Sequence, residues 1–128
     1  MKRILFILTL IMAAGAVAYA QKSDVIVLAE NQALPEPTAK KAVVIDFNAT
    51  WCGPCRRFAP IFEAAAKKYS KKAIFVSVDV DKHPGLARIY GVRGIPYMVV
   101  LRKNQAPVTQ TGLMPEVEFD AFLRPLLP

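Results

Sequence analysis

Between Ala42 and Phe47 every residue is apolar except Asp46. A strand with one face in water alternates apolar and polar side chains, so a run this uniform reads as a central strand buried on both faces. Such a strand needs a layer packed against each side of its sheet. The segments around it meet that need. Cys55 to Ser70 carries Phe58, Ile61, Phe62, Ala65 and Tyr69 at helical spacing and leaves Arg57, Lys67 and Lys68 for water. Pro60 cannot donate a backbone hydrogen bond inside that helix and predicts a bend. Ala73 to Asp79 reads as a second buried strand, Pro84 to Tyr90 as a short helix opened by proline, and Tyr97 to Arg102 as a third strand.

Val25 to Leu28 is a short strand ahead of a connection broken by Pro35 and Pro37. Val108 to Thr111 reads as an edge strand, and Phe119, Phe122, Leu123 and Leu126 mark a last helix with its apolar stripe inward. A parallel strand–helix–strand unit joined to a hairpin unit predicts an α/β fold: one central mixed sheet flanked by helices on both faces. At 128 residues, 54% hydrophobic and 21% charged, the chain can bury one ordinary core.

The first twenty residues have a different character. Lys2 and Arg3 precede an apolar run from Ile4 to Val17, and Ala18-Tyr19-Ala20 offers small residues at the positions a signal peptidase reads. Residues 1–20 are expected to be a cleaved secretory signal peptide and 21–128 the folded domain, in a periplasm or another exported space. A retained anchor is the alternative, since Ile4 to Ala20 approaches the shortest length that crosses a bilayer. The abrupt change to Gln21-Lys22-Ser23-Asp24 favours cleavage, and no cysteine follows for lipid attachment before Cys52.

The net charge is +7, with two of the cations in that leader. The lysine pairs Lys40-Lys41, Lys67-Lys68 and Lys71-Lys72 fall at element ends and solvated helix faces. No nucleic-acid motif accompanies them, so nucleic acid is not an expected partner.

Cys52 and Cys55 are the only cysteines, within Trp51-Cys52-Gly53-Pro54-Cys55. A structural bridge across so short a loop restrains the unfolded chain little. Structural zinc wants four ligands, and only His83 could join the two thiols, so no metal is expected. What remains is a pair that switches between dithiol and disulfide, with no further cofactor.

From about Val25 to Leu127 the chain resembles the thioredoxin family. The resemblance rests on Val44-Ile45-Asp46-Phe47 leading to Trp51-Cys52-Gly53-Pro54-Cys55, on Pro60, on Gly91-Val92-Arg93-Gly94-Ile95-Pro96, and on Gly112 sixteen residues after Pro96. It implies a thioredoxin-like fold and a thiol–disulfide oxidoreductase. At a helix start, the Cys52 sulfur would face unpaired N–H groups and the positive end of the helix dipole, which favour a nucleophilic thiolate. Gly53 lets a partner approach and Pro54 suits a first helical turn. Cys55, one turn further in and less exposed, would resolve the mixed disulfide.

Asp46 is a carboxyl in an apolar strand, and the resemblance makes it the proton acceptor and donor for Cys55 through water. The resemblance also implies a cis Pro96 against the disulfide, with the backbone of Ile95 pairing to an extended substrate segment. Trp51, Gly53, Pro54, Ile95, Pro96 and Gly112 would form a shallow substrate-binding surface, Trp51 facing outward. His83 and Tyr97 are read as structural, one in a helix-entry loop and one packed at the rim.

Two departures from the family matter. Asn48 stands where tryptophan is usual, predicting a more polar and open site. Ser77 stands where a lysine often partners the buried aspartate, which should raise the Asp46 pKa further.

Gly53-Pro54 is similar to the reducing members, while oxidases and isomerases commonly carry histidine between the cysteines. The expected function is reduction of disulfides in exported proteins by a monomer, recharged by a membrane electron-relay protein because no cytosolic reductase reaches that space. Arg56 and Arg57 add positive potential that shifts the poise the other way. The alternatives are a periplasmic disulfide oxidase or isomerase, a non-catalytic binding module using the Pro96 surface, and thiolate capture of a soft metal such as copper(I).

Overall fold

The central apolar run does become the middle of a sheet. A computed structural model describes residues 23–128, so the signal peptide assigned to residues 1–20 lies outside the described residues. The elements are β1 (Val25–Val27), β2 (Ala42–Asn48), α1 (Gly53–Lys68), β3 (Ala73–Asp79), α2 (Pro84–Ile89), β4 (Tyr97–Leu101), β5 (Val108–Thr111) and α3 (Glu116–Leu123), followed by a 3-10 turn, Arg124–Leu126. Strand order is β1-β3-β2-β4-β5. β1, β3 and β2 are parallel, β4 runs antiparallel to β2, and β5 antiparallel to β4. Among the described residues no helix is long and apolar enough to cross a membrane.

Successive residues of a strand point to opposite faces, so β2 feeds two cores. Ala42 and Val44 join Phe58, Phe62, Phe119 and Leu123 from α1 and α3. Val43, Ile45 and Phe47 join Val76, Val78 and Val99, with Leu86 and Tyr90 packed over them. Phe58 meets Phe119 edge-on with ring centroids 5.0 Å apart, and Phe62 meets Phe75 at 5.3 Å. Each fully buried phenylalanine contributes about 2–3 kcal/mol by leaving water.

Asp46 continues the even-numbered face of β2, which carries it toward α1. Asn48 shares that face, and the parallel register sets Ser77 of β3 opposite Asp46. The three polar side chains are thus gathered under the start of α1.

α1 begins at Gly53, two residues before the packed face that periodicity reveals, because Gly53 and Pro54 occupy an unpacked first turn where the missing proline donor costs nothing. The helix continues through Pro60 to Lys68. α3 ends at Leu123 rather than running to Leu126: Pro125 lacks the N–H that another α-turn requires, and the chain tightens into the 3-10 turn. Asp120 on α3 ties the two long helices together. Its carboxylate accepts from Lys68 Nζ at 2.8 Å, from Arg124 Nε at 2.7 Å and from the Tyr69 hydroxyl.

Candidate active site

β2 ends at Asn48 and the chain turns through Ala49 and Trp51 to reach the N-terminus of α1, where Cys52 is the cap residue. Cys52 and Cys55 form a disulfide with Cα atoms 5.3 Å apart. The backbone N–H of Cys55 donates to Cys52 Sγ at 3.2 Å. An N–H aimed at sulfur binds it more strongly when that sulfur carries negative charge, so the helix start favours a thiolate there.

The two sulfurs differ less in exposure than the sequence implies. Cys52 is 5% and Cys55 4% exposed, since both pack with Ala49 against Val80 and Ile95. They differ in direction. Cys52 Sγ lies 3.9 Å from the carbonyl oxygen of Ile95, on the outer side. Cys55 lines an open cavity of about 280 Å³ behind the disulfide, together with Asp46, Asn48, Ser77, Phe62 and the exposed Arg56 and Glu63.

The Ile95–Pro96 peptide bond is cis. The Pro96 carbonyl accepts the N–H of Gly112 at 2.8 Å, which ties the loop before β4 to the end of β5. Gly112 holds φ at +100°, a conformation that any residue with a Cβ would adopt only under strain. A groove of about 380 Å³ runs between Trp51, Val80, Val92, Arg93 and Ile95, and it shares Val80 and Ile95 with the disulfide cluster. Trp51 is 67% exposed and forms one wall. Its indole Nε1 donates to Asp81 Oδ2 at 2.9 Å, and Asp79 Oδ1 in turn accepts the N–H of Asp81 at 2.8 Å.

Asp81 was not singled out from the sequence. The only signal was its place in the loop after a parallel strand, where sites in α/β folds gather.

Asp46 is 3% exposed, and its Oδ1 has no hydrogen-bond partner among the described residues. Burial pushes its pKa up to about 7, and the nearby Asn48 amide offsets this only in part. That amide is committed elsewhere: Nδ2 donates to the Asp46 carbonyl at 3.0 Å and to Ser77 Oγ at 2.7 Å. The cavity gives the orphaned carboxyl oxygen room for water, and the same water space reaches Cys55.

His83 is buried ahead of α2, with Nε2 3.1 Å from the carbonyl oxygen of Leu28, and the Tyr97 hydroxyl donates to the Tyr90 carbonyl at 2.9 Å. Both hold the far face of the sheet and neither reaches the disulfide cluster. Among the described residues no group of three or more His, Cys, Asp or Glu could hold a metal ion.

A mixed sheet that delivers one disulfide to the head of its first long helix, opposite a cis proline, belongs to proteins that exchange dithiols for disulfides. Known proteins of that class match the chain closely. The thioredoxin family model matches residues 25–125. A thioredoxin of Buchnera aphidicola is 40% identical over 85 residues, covering 66% of this chain and 78% of the relative. One from Chlorobaculum thiosulfatiphilum is 40% identical over 76 residues, covering 59% and 70%. The crystal structure of the germline-specific thioredoxin Deadhead of Drosophila melanogaster superposes with a TM-score of 0.64 at 38% identity, over 69% of this chain and 83% of that one. Chloroplastic thioredoxin z gives 0.62 at 27% identity, over 69% and 80%.

The chain belongs to the thioredoxin family. It is a thiol–disulfide oxidoreductase, a protein-disulfide reductase by class, and its redox centre is the Cys52–Cys55 pair with no added cofactor.

Proposed function

We propose that the protein reduces disulfides of exported proteins, with Cys52 as nucleophile, Cys55 as resolving thiol and Asp46 as their proton relay. In the reduced form, Cys52 thiolate attacks a substrate sulfur, forms a mixed disulfide and expels the first substrate thiolate. Cys55 passes its proton through water to Asp46 and attacks Cys52 Sγ, which expels the second substrate thiolate. Two electrons leave the cysteine pair and the substrate gains two thiols. An extended substrate segment pairs with the backbone of Ile95, between Trp51 and Pro96, and Gly53, Pro54 and Gly112 leave room for it.

The observation that carries this reading is the division of the site into two sides. Cys52 lies against Ile95 beside the groove, while Cys55 and the orphaned Asp46 carboxyl share the cavity behind. Attack and proton transfer therefore use separate spaces.

The leader pattern over residues 1–20 supports export to a periplasm, where the monomer is recharged by a membrane electron-relay protein. The oxidising direction is the alternative, favoured by Arg57, whose guanidinium lies close to Gly53 and stabilises the thiolate form. Insulin reduction assayed beside a redox titration decides between them. Turnover with a midpoint near about −270 mV supports the reductase, and a midpoint near about −120 mV would mark an oxidant. Fractionation of the host cell checks the location: intact, uncleaved protein in the cytosol contradicts export.

A further inference from the structure

Arg57 and Arg93 edge the mouth of the site and form no ion pair among the described residues, and we propose that they select substrates whose reactive cysteine sits in an acidic segment. The inference rests on the reducing function proposed above and names its substrate class. Arg57 Nη1 comes within 3.8 Å of where a Cβ on Gly53 would stand, so this guanidinium covers the loop between the two cysteines. Arg56 lies on the other side, lining the space behind the disulfide with Cys55, Asp46 and Glu63, where its Nη1 donates to the Thr50 carbonyl at 3.3 Å. Arg93 lines the groove with Trp51 and Ile95, across from the disulfide. All three side chains are exposed.

No carboxylate is ion-paired to the guanidinium of Arg57 or Arg93 among the described residues. Both ion pairs among the described residues belong to Asp120, at the opposite end of α1. Asp81 accepts the Trp51 indole and Asp79 the Asp81 N–H. Glu63 accepts from Ser23, and Asp46 is buried behind the disulfide. The front of the site is therefore an apolar groove edged by two guanidinium groups, with the Asp81 carboxylate held on the Trp51 indole.

A segment added along Ile95 rises about 3.3 Å per residue, so side chains within two positions of its cysteine fall about 7 Å from the reacting sulfur. At that distance one side chain reaches the apolar wall of Trp51 and Val92, and its neighbours reach Arg93 or Arg57. An apolar residue next to the cysteine, with aspartate or glutamate one or two positions away, fits both. Exposed charge pairs are individually weak, so the selection is kinetic: two guanidinium groups at one mouth raise the encounter rate of an acidic segment, and salt removes the effect.

The test uses one disulfide-bonded peptide in three versions, with the cysteine flanked by aspartate, serine or lysine. Each is assayed for kcat/KM with the wild-type protein, with the double variant Arg57→Gln/Arg93→Gln, and with Lys71→Gln in the α1–β3 connection at the far end of the sheet. The expected aspartate-to-lysine ratio in wild type is about tenfold at about 0.01 M salt, collapsing toward unity at about 1 M, as the screening length falls from about 30 Å to about 3 Å. The double variant should bring the low-salt ratio near one, and Lys71→Gln should preserve it. Because the ratio is taken within each variant, a general loss of activity cancels. A wild-type ratio near one with good turnover of the serine peptide overturns this inference alone, as does an equal loss of selectivity in Lys71→Gln, which would assign it to net charge. No turnover of any peptide takes down the reducing function as well.

Discussion

Ser77 lies directly opposite Asp46 in the parallel register of β2 and β3, yet its hydroxyl bonds the Asn48 amide at 2.7 Å and leaves the carboxyl alone. The side chain opposite the buried acid thus accepts from the amide without donating to the carboxyl, and one oxygen of Asp46 stays unpaired among the described residues. The polar pair Asn48–Ser77 holds the cavity open behind Cys55 without supplying a charge.

Asp46→Asn should stabilise the protein in a pH-dependent way. The folded pKa of about 7 lies above the ordinary 3.8, so folding favours the protonated carboxyl. That contribution is fully present below about pH 4 and is lost as pH rises through about 7. Above it, the buried carboxylate costs up to about 4 kcal/mol, which asparagine avoids. Urea unfolding at pH 4 and pH 8.5 measures the gain, and an equal gain at both values would show that the carboxyl does not titrate within the fold.

Ser77→Lys should place a cation opposite Asp46 and lower its pKa by about 1–3 units. Carbon NMR of the Asp46 carboxyl follows the titration directly. The pH profile of the resolving step should move down with it, and an unmoved midpoint would mean that the new ammonium turns away to solvent.

Cys55→Ser should accumulate a covalent complex with a disulfide substrate, because nothing remains to attack the Cys52 linkage. Mass spectrometry under non-reducing conditions detects it. Cys52→Ser should form none, and a comparable adduct on Cys55 in that variant would reassign the nucleophile.

Asp120→Asn should alter the acid limb of stability. Lys68, then Tyr69 and Arg124, hold the Asp120 carboxyl down to about 2 by hydrogen bonding. Its contribution is present above about pH 4 and is lost as pH falls through about 2, the reverse of Asp46. The variant should therefore be less stable than wild type at pH 6 and converge with it near pH 2 in thermal unfolding.

Much of the fold is legible because burial is a property that each side chain carries along the chain. The run from Ala42 to Phe47, the spacing of Phe58 and Phe62, and the proline at 84 announce a two-faced sheet and the start of α2, whereas the end of α3 at Leu123 falls short of the Leu126 that periodicity indicates. The helix start at Gly53 is marked by Pro54 and the cysteine pair, since its first turn carries no apolar stripe. The site is legible where it is local: Trp51 to Cys55 is contiguous, and two cysteines three apart exclude most other chemistry.

Its remaining parts come from distant stretches. Trp51 and Asp81 are thirty residues apart, Asn48 and Ser77 twenty-nine, and Cys52 and Ile95 forty-three. Strand order and register bring each pair together, and neither can be read from periodicity, because a one-residue slip would turn Asp46 to the opposite face with the same apolar pattern around it. The amino-acid order by itself determined that a dithiol would open a helix after a doubly buried strand, since transfer from water depends on the local pattern of side chains. Only tertiary structure decided which sulfur looks outward, which looks toward Asp46, and which partners that acid lacks, since those outcomes depend on pairing between segments far apart in the chain.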